Sequence, residues 1–227
     1  MKKTLSLIFT LFVAALPLSA QTETADSLKT QAETVDSLQV PEYDSIYVIG
    51  GDTLKAALYA PSLKKFEESA DHSVATIKQV YYGAALQPGF NPDTVYVDAV
   101  NAYARRDYHQ AEKLALKGLE TDPTNLGLLV RAYGSRNAVN IGDPTQYQNR
   151  CIEIFEAILK SGSGVTPEDP FLVTHKTDAM EFVTRYLQPS SIINTETLAD
   201  GLFKVTFTYI GNTQPMDIYF GLFPARR

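Results

Sequence analysis

His175 and Asp178 are the residues whose types and spacing come nearest to acid–base chemistry. They lie three positions apart where an extended run passes into a helix. There an aspartate can orient an imidazole that moves a proton, the core of a hydrolytic site. The competing explanation is that Asp178 complements the positive end of a helix, as first-turn acids do. His72 and His109 share no helical turn with His175 or with each other, and Cys151 is the only cysteine. Zinc needs several ligands at matched spacings, so neither a metal nor a cofactor is expected. Cys151 falls in register with Tyr147, Ile154, Phe155 and Ile158 at helical spacing, which makes it a small core hydrophobe rather than a nucleophile. Ser163 stands between Gly162 and Gly164 but lacks the Gly-x-Ser-x-Gly order and a preceding strand. The same glycines lack the lysine and hydroxyl of a phosphate loop. The segment reads as a turn.

A second constellation is aromatic. Tyr81, Tyr82, Phe90, Tyr96, Tyr103 and Tyr108 fall within a short stretch that also holds Arg105 and Arg106. Tyrosine and arginine suit partner recognition because they cover large areas and keep polar tips. Helical spacing of Tyr96 and Tyr103 offers the plainer alternative that some are core side chains. The absence of tryptophan weighs against a sugar-stacking site.

The elements that would hold these residues are mostly helical. Pro61 opens a helix carrying Leu63 and Phe66, and Val74, Ile77, Tyr81 and Ala84 keep the same period until a double-proline turn at 87–92. Tyr96, Ala99, Val100 and Tyr103 form one helical face. Ala111, Leu114, Ala115, Gly118 and Leu119 form the next, with a tight turn at 105–108 between them. Leu126, Leu129, Val130 and Tyr133 mark a third helix, and Asp143-Pro144 opens a fourth. Such short links require antiparallel hairpins. Asp107-Tyr108-His109-Gln110-Ala111 with Asp122-Pro123-Thr124-Asn125 resembles half of a tetratricopeptide repeat in degenerate form. After the turn at 161–164, Phe171 begins an extended run and Thr177 can cap a helix carrying Met180, Val183 and Leu187. The alternating stretches 202–209 and 216–220 predict a small antiparallel sheet.

Ahead of this lie two segments of other character. Residues 1–20 combine Lys2 and Lys3, an apolar run, and Leu18-Ser19-Ala20, the layout of a secretory signal cleaved near Ala20. No cysteine stands at that site, so a lipoprotein is not expected, and the mature chain should be periplasmic or secreted without a membrane span. Residues 21–45 hold six acidic residues against Lys29 and read as a disordered tether. The whole chain of 227 residues carries a net charge of −6, which argues against a nucleic-acid partner.

Asp26-Ser27-Leu28, Asp36-Ser37-Leu38, Asp44-Ser45-Ile46 and Asp52-Thr53-Leu54 repeat one pattern, an acid, a hydroxyl and an aliphatic. It is similar to the O-glycosylation acceptor of exported Bacteroidetes proteins and nominates Ser27, Ser37, Ser45 and Thr53. Asp93-Thr94-Val95 has the same form but is set aside, because its side chains can cap the following helix.

Further motifs carry a family resemblance. Leu58-Tyr59-Ala60-Pro61, Val80-Tyr81-Tyr82-Gly83, Gln87-Pro88-Gly89-Phe90-Asn91-Pro92, 158–164 and Ile218-Tyr219-Phe220 look like a secreted Bacteroidetes domain-of-unknown-function family. Asp93 departs from it, standing where an aromatic is expected. The resemblance implies an exported protein of this architecture and carries no catalytic residue.

The expectation is therefore an α+β chain. A signal at 1–20 and a tether at 21–45 precede helical hairpins over 46–161. A small α+β region with an antiparallel sheet packs on them over 162–227. Functionally it reads as a non-catalytic binding or scaffolding protein whose partner is an envelope protein or peptide. The alternative is a periplasmic hydrolase using His175 and Asp178.

Overall fold

Ile46–Ile49 (β1) and Asp52–Lys55 (β2) pair antiparallel across Gly50-Gly51. They open the part of the chain that the computed structural model describes, residues 46–68, 72–91, 96–211 and 214–224. The sequence reads 45–49 as a short β-like run ended by Gly50-Gly51-Asp52, and β1 stands there; β2 is a second strand within the stretch expected to hold helical hairpins. The strands are short, and only Ile49 and Leu54 are fully buried, so hydrophobic alternation barely marks them. Tertiary polar contacts hold them instead. The Gln79 side-chain amide donates to Lys55 O at 2.8 Å and accepts from Lys55 N at 3.2 Å, standing in for a neighbouring strand. Gly50 (φ +53°) lies so close to the chain at Lys160 that a Cβ there would sit 1.7 Å from the Lys160 carbonyl oxygen. Only glycine fits that contact.

A 3₁₀ turn at Ala56–Leu58 leads into α1 (Tyr59–Glu67). The Ser73 side chain accepts from Thr76 N and starts α2 (Val74–Ala84). Every residue of α2 from Ile77 to Ala84 is buried. A helix covered on all sides is a central helix, and its neighbours are α1, β2 and the later helix Thr145–Leu159.

Helices α3 (Val97–Ala104), α4 (Tyr108–Leu119), α5 (Leu126–Val139) and α6 (Thr145–Leu159) follow with short links, each packed on the next. These are the expected hairpins. Asp107 and Asn125 cap α4 and α5 by accepting from the backbone N–H of Gln110 and Leu128, and Asp143 accepts from Thr145 N ahead of α6. The buried stripe of α4 is Ala111, Ala115 and Gly118. Small residues there let α3 and α5 approach: a Cβ on Gly118 would come within 2.6 Å of Leu128 and 3.1 Å of the Tyr96 ring. Cys151 is buried in α6 with Tyr147, Ile154, Phe155 and Ile158, as its spacing predicts.

The C-terminal part is a four-stranded sheet in the order β3-β6-β5-β4, made of Phe171–Val173, Met216–Leu222, Leu202–Thr208 and Ser191–Thr197. It is mixed, which corrects the antiparallel expectation. β4, β5 and β6 form an antiparallel meander, but β3 runs parallel to β6 with Phe171 opposite Phe220 and Val173 opposite Leu222. The crossover between them contains α7 (Lys176–Glu181), a π-type segment at Phe182–Leu187 and two strands, long enough to return the chain in the same direction. Thr177 does not cap α7. The N-cap is His175, extended in backbone, with no side-chain capping bond. Helix and sheet residues from Ile49 to Phe223 share one apolar cluster.

Candidate functional site

The capping position places the His175 ring inside the molecule, where residues from three other parts of the chain meet it. Its Nε2 lies 3.2 Å from Asp122 Oδ2 in the α4–α5 link, and its Nδ1 lies 3.5 Å from Asp178 Oδ2 on α7. Thr174 Oγ1 approaches Nδ1 at 3.2 Å. Phe90 packs beside the imidazole with ring centroids 4.9 Å apart. The two expected partners therefore do meet. Their surroundings are closed: His175 is 1 % exposed and Asp178 0 %.

Each carboxylate has further support. Tyr81 of α2 donates its hydroxyl to Asp178 Oδ2 at 2.7 Å, and Thr174 donates to the same oxygen at 3.3 Å. Thr174 N donates in turn to the Tyr81 oxygen. Asn125 Nδ2 donates to Asp122 Oδ2 at 3.0 Å, while its Oδ1 caps α5. Asp178 Oδ1 is buried without a hydrogen-bond partner among the described residues.

Burial alone would push the imidazole down. Hydrogen bonds and charge attraction from Asp122 and Asp178 outweigh it, and His175 rises to about 10. It is a cation at neutral pH. Burial, with the Asp178 charge behind it, pushes the Tyr81 hydroxyl far above its ordinary range, so it stays a donor. A general base needs a free nitrogen facing substrate. Here both nitrogens are engaged, and the arrangement is an internal ion triad of His175, Asp122 and Asp178, tied to α2 by the Tyr81 hydroxyl. Neither Asp122 as its third member nor the Tyr81 hydroxyl beside it was foreseen. The signal available was weak: Asp122 read as part of the tetratricopeptide-like stretch at 122–125, and Tyr81 lies 97 positions from Asp178.

The remaining polar candidates are dispersed. His72 pairs with Glu153 at 2.6 Å, and His109 is exposed at the start of α4. Burial pushes the Cys151 thiol up, away from thiolate chemistry. Ser163 Oγ donates to Asp169 O at 3.3 Å, a turn contact. Among the described residues, no group of three or more His, Cys, Asp or Glu is placed to hold a metal ion.

The structure divides the aromatic cluster. Tyr81 and Tyr82 are fully buried on α2, which corrects their assignment to a partner surface. The reason is that α2 is enclosed on every side. Tyr82 donates to Leu172 O at 3.0 Å and packs edge-on against Phe223. Phe90 is taken up by His175, and half-buried Tyr96 packs over Gly118. Tyr103, Arg105, Arg106 and Tyr108 remain together at the α3–α4 turn. The two tyrosine rings meet edge-on at 5.4 Å and are half-buried, and both arginines are exposed. Tyr103 lies against bare backbone at Gly134, where a Cβ would meet its hydroxyl at 2.5 Å. The rings are thus fixed while the arginines reach outward.

Of the glycosylation candidates, Ser27, Ser37 and Ser45 lie outside the described residues. Thr53 is exposed on β2, while Asp52 is bound to Lys78 and Leu54 is buried. The fold itself uses the flanking residues of that motif. Among the described residues no helix is long and apolar enough to cross a membrane. No protein-family model matches the chain, and neither does any curated protein or solved structure.

Proposed function

We propose that this chain is an exported, non-catalytic binding or scaffolding protein of the cell envelope. One observation carries the reading: the best acid–base pair is enclosed with both ring nitrogens engaged, while the α3–α4 turn presents Arg105 and Arg106 beside the fixed rings of Tyr103 and Tyr108. Rigid aromatics flanked by exposed guanidinium groups suit an acidic protein or peptide surface. Export rests on the layout of residues 1–20 and on the resemblance to a secreted Bacteroidetes family.

The test is chemical cross-linking of the purified chain in envelope extract, repeated with Arg105→Ala and Arg106→Ala together. The expected result is a cross-linked envelope protein or peptide that disappears with the double substitution. A product indifferent to both arginines would overturn the surface assigned here. Turnover of ester or peptide substrates, abolished by a folded His175→Gln variant, would overturn the non-catalytic reading in favour of a periplasmic hydrolase.

A further inference from the structure

β4 ends the sheet, and no described residue outside β5 hydrogen-bonds to its backbone. Six of its seven residues are exposed, with Ile192 the exception, so the helical layer does not extend beneath it. Natural edge strands are usually guarded by lysine or proline. Ser191–Thr197 contains neither, and its one charge, Glu196, is paired to Lys204 at 2.8 Å.

The ladder shows which backbone groups face outward. Leu198 N donates to Leu202 O at 2.8 Å, and Glu196 and Asn194 stand opposite Lys204 and Thr206. In an antiparallel pair, hydrogen bonding alternates along the strand. Even-numbered residues from Asn194 onward bond to β5, so Thr195 and Thr197 turn their N–H and C=O away from the sheet, while Ile193, with no partner in β5, is the extra residue of a bulge between Ile192 and Asn194. On the core side of Thr197 opens a cavity of about 130 Å³, walled by Val173, Ala179, Phe203, Phe220 and Leu222, with Lys176 the only charged lining residue among the described residues. The same edge carries Ile193, a large aliphatic 54 % exposed.

We propose that β4 pairs antiparallel with β4 of a second copy of this chain, joining the two four-stranded sheets into one. The register follows from the residues. A two-fold axis at Glu196 would set two carboxylates face to face in the closest kind of cross-strand pair, which is repulsive. An axis at Thr195 pairs Thr195 with its own equivalent, a favourable match, and sets Glu196 against Asn194 of the second copy. It also brings Ile193 of the second copy opposite Thr197, at the apolar cavity. The same edge supplies the protruding aliphatic and the recess, and this is what favours a second copy over an unrelated strand. The surface is separate from the tyrosine–arginine turn, so either reading can fail alone.

Sedimentation of the full chain across a concentration series tests the pairing. The expected result is a concentration-dependent dimer that Thr195→Pro converts to monomer. Proline is tolerated there because the lost N–H faces away from β5. Asn194→Glu and Asn194→Lys probe the register, since both face Glu196 of the second copy. The first should weaken the dimer and the second tighten it, each by about 2- to 5-fold per cross-strand pair. The Asn194 pair decides the matter if Thr195→Pro disturbs folding. A chain that stays monomeric at every concentration, or a dimer unmoved by both Asn194 substitutions, overturns the proposal. So does a monomer whose β4 edge binds an extended peptide instead.

Discussion

The Lys78 ammonium, on a side chain only 1 % exposed, reaches Asp52 Oδ2 at 2.8 Å. The carbonyls of Ile49 and Gly50 accept from the same nitrogen at 3.0 and 3.3 Å, so its three protons all have acceptors. A cation of the central helix thereby holds the turn of the β1–β2 hairpin. Ammonium groups are buried only when satisfied in this way.

Removing the carboxylate should leave that charge undercompensated. Asp52→Ala is expected to destabilise the fold by about 1–3 kcal/mol. Asp52→Asn should cost less, because an amide oxygen still accepts. Urea unfolding of both variants checks the order, and equal losses would mean the side chain acts only through packing.

The buried triad predicts a dependence on alkaline pH. The folded imidazole lies at about 10 against an ordinary value of 6.5, so the folded state holds this proton more tightly than the unfolded chain. Its contribution is therefore complete below about pH 6.5 and fades as pH rises toward 10. The urea midpoint should fall across that window in the native chain and stay flat in His175→Gln. Tyr59, pushed up to about 12 by burial and by Asp122, adds a separate loss that begins only above pH 10.

Adjacent glycines in the hairpin turn should respond differently. Gly50 and Gly51 both have positive φ, but a Cβ on Gly51 meets nothing within 4 Å while one on Gly50 meets the end of α6. Gly51→Ala should cost only the backbone strain, about 1–2 kcal/mol. Gly50→Ala must also displace the hairpin and should cost clearly more. Thermal unfolding of the two variants gives the comparison directly.

The repeated acid–hydroxyl–aliphatic pattern makes a prediction for the native host. The intact mass of the chain purified there should exceed that of the polypeptide. Alanine at Ser27, Ser37 and Ser45 should remove most of the excess, and Thr53→Ala no more than the remainder. A mass equal to the bare polypeptide ends that assignment.

The helices were legible because their caps and 3.6-residue period are local. Leu126, Leu129 and Val130 all face inward on α5, and Cys151 fell where its neighbours placed it. The paired strands β5 and β6 were legible from alternation alone. β4 was not, since a strand with almost every side chain exposed carries no period of two. The parallel pairing of β3 was hidden for another reason: three residues cannot announce a partner that lies beyond a helix and two further strands. At the site, the three-residue spacing gave His175 and Asp178, but burial belongs to the assembled fold. The spacing of Tyr81 marked a helical face, yet nothing local told that the opposite face of α2 is covered as well.

Gln79 has a mechanical consequence. Ile46 is the first residue of β1, and its cross-strand partner is Lys55, whose N–H and C=O are both held by the Gln79 amide. A pull on whatever precedes Ile46 therefore cannot simply peel β1 from a loose neighbour. Those groups face away from β1, so the load enters β2 through the neighbouring Tyr47–Leu54 pair, and β2 in turn is held to the central helix by Gln79.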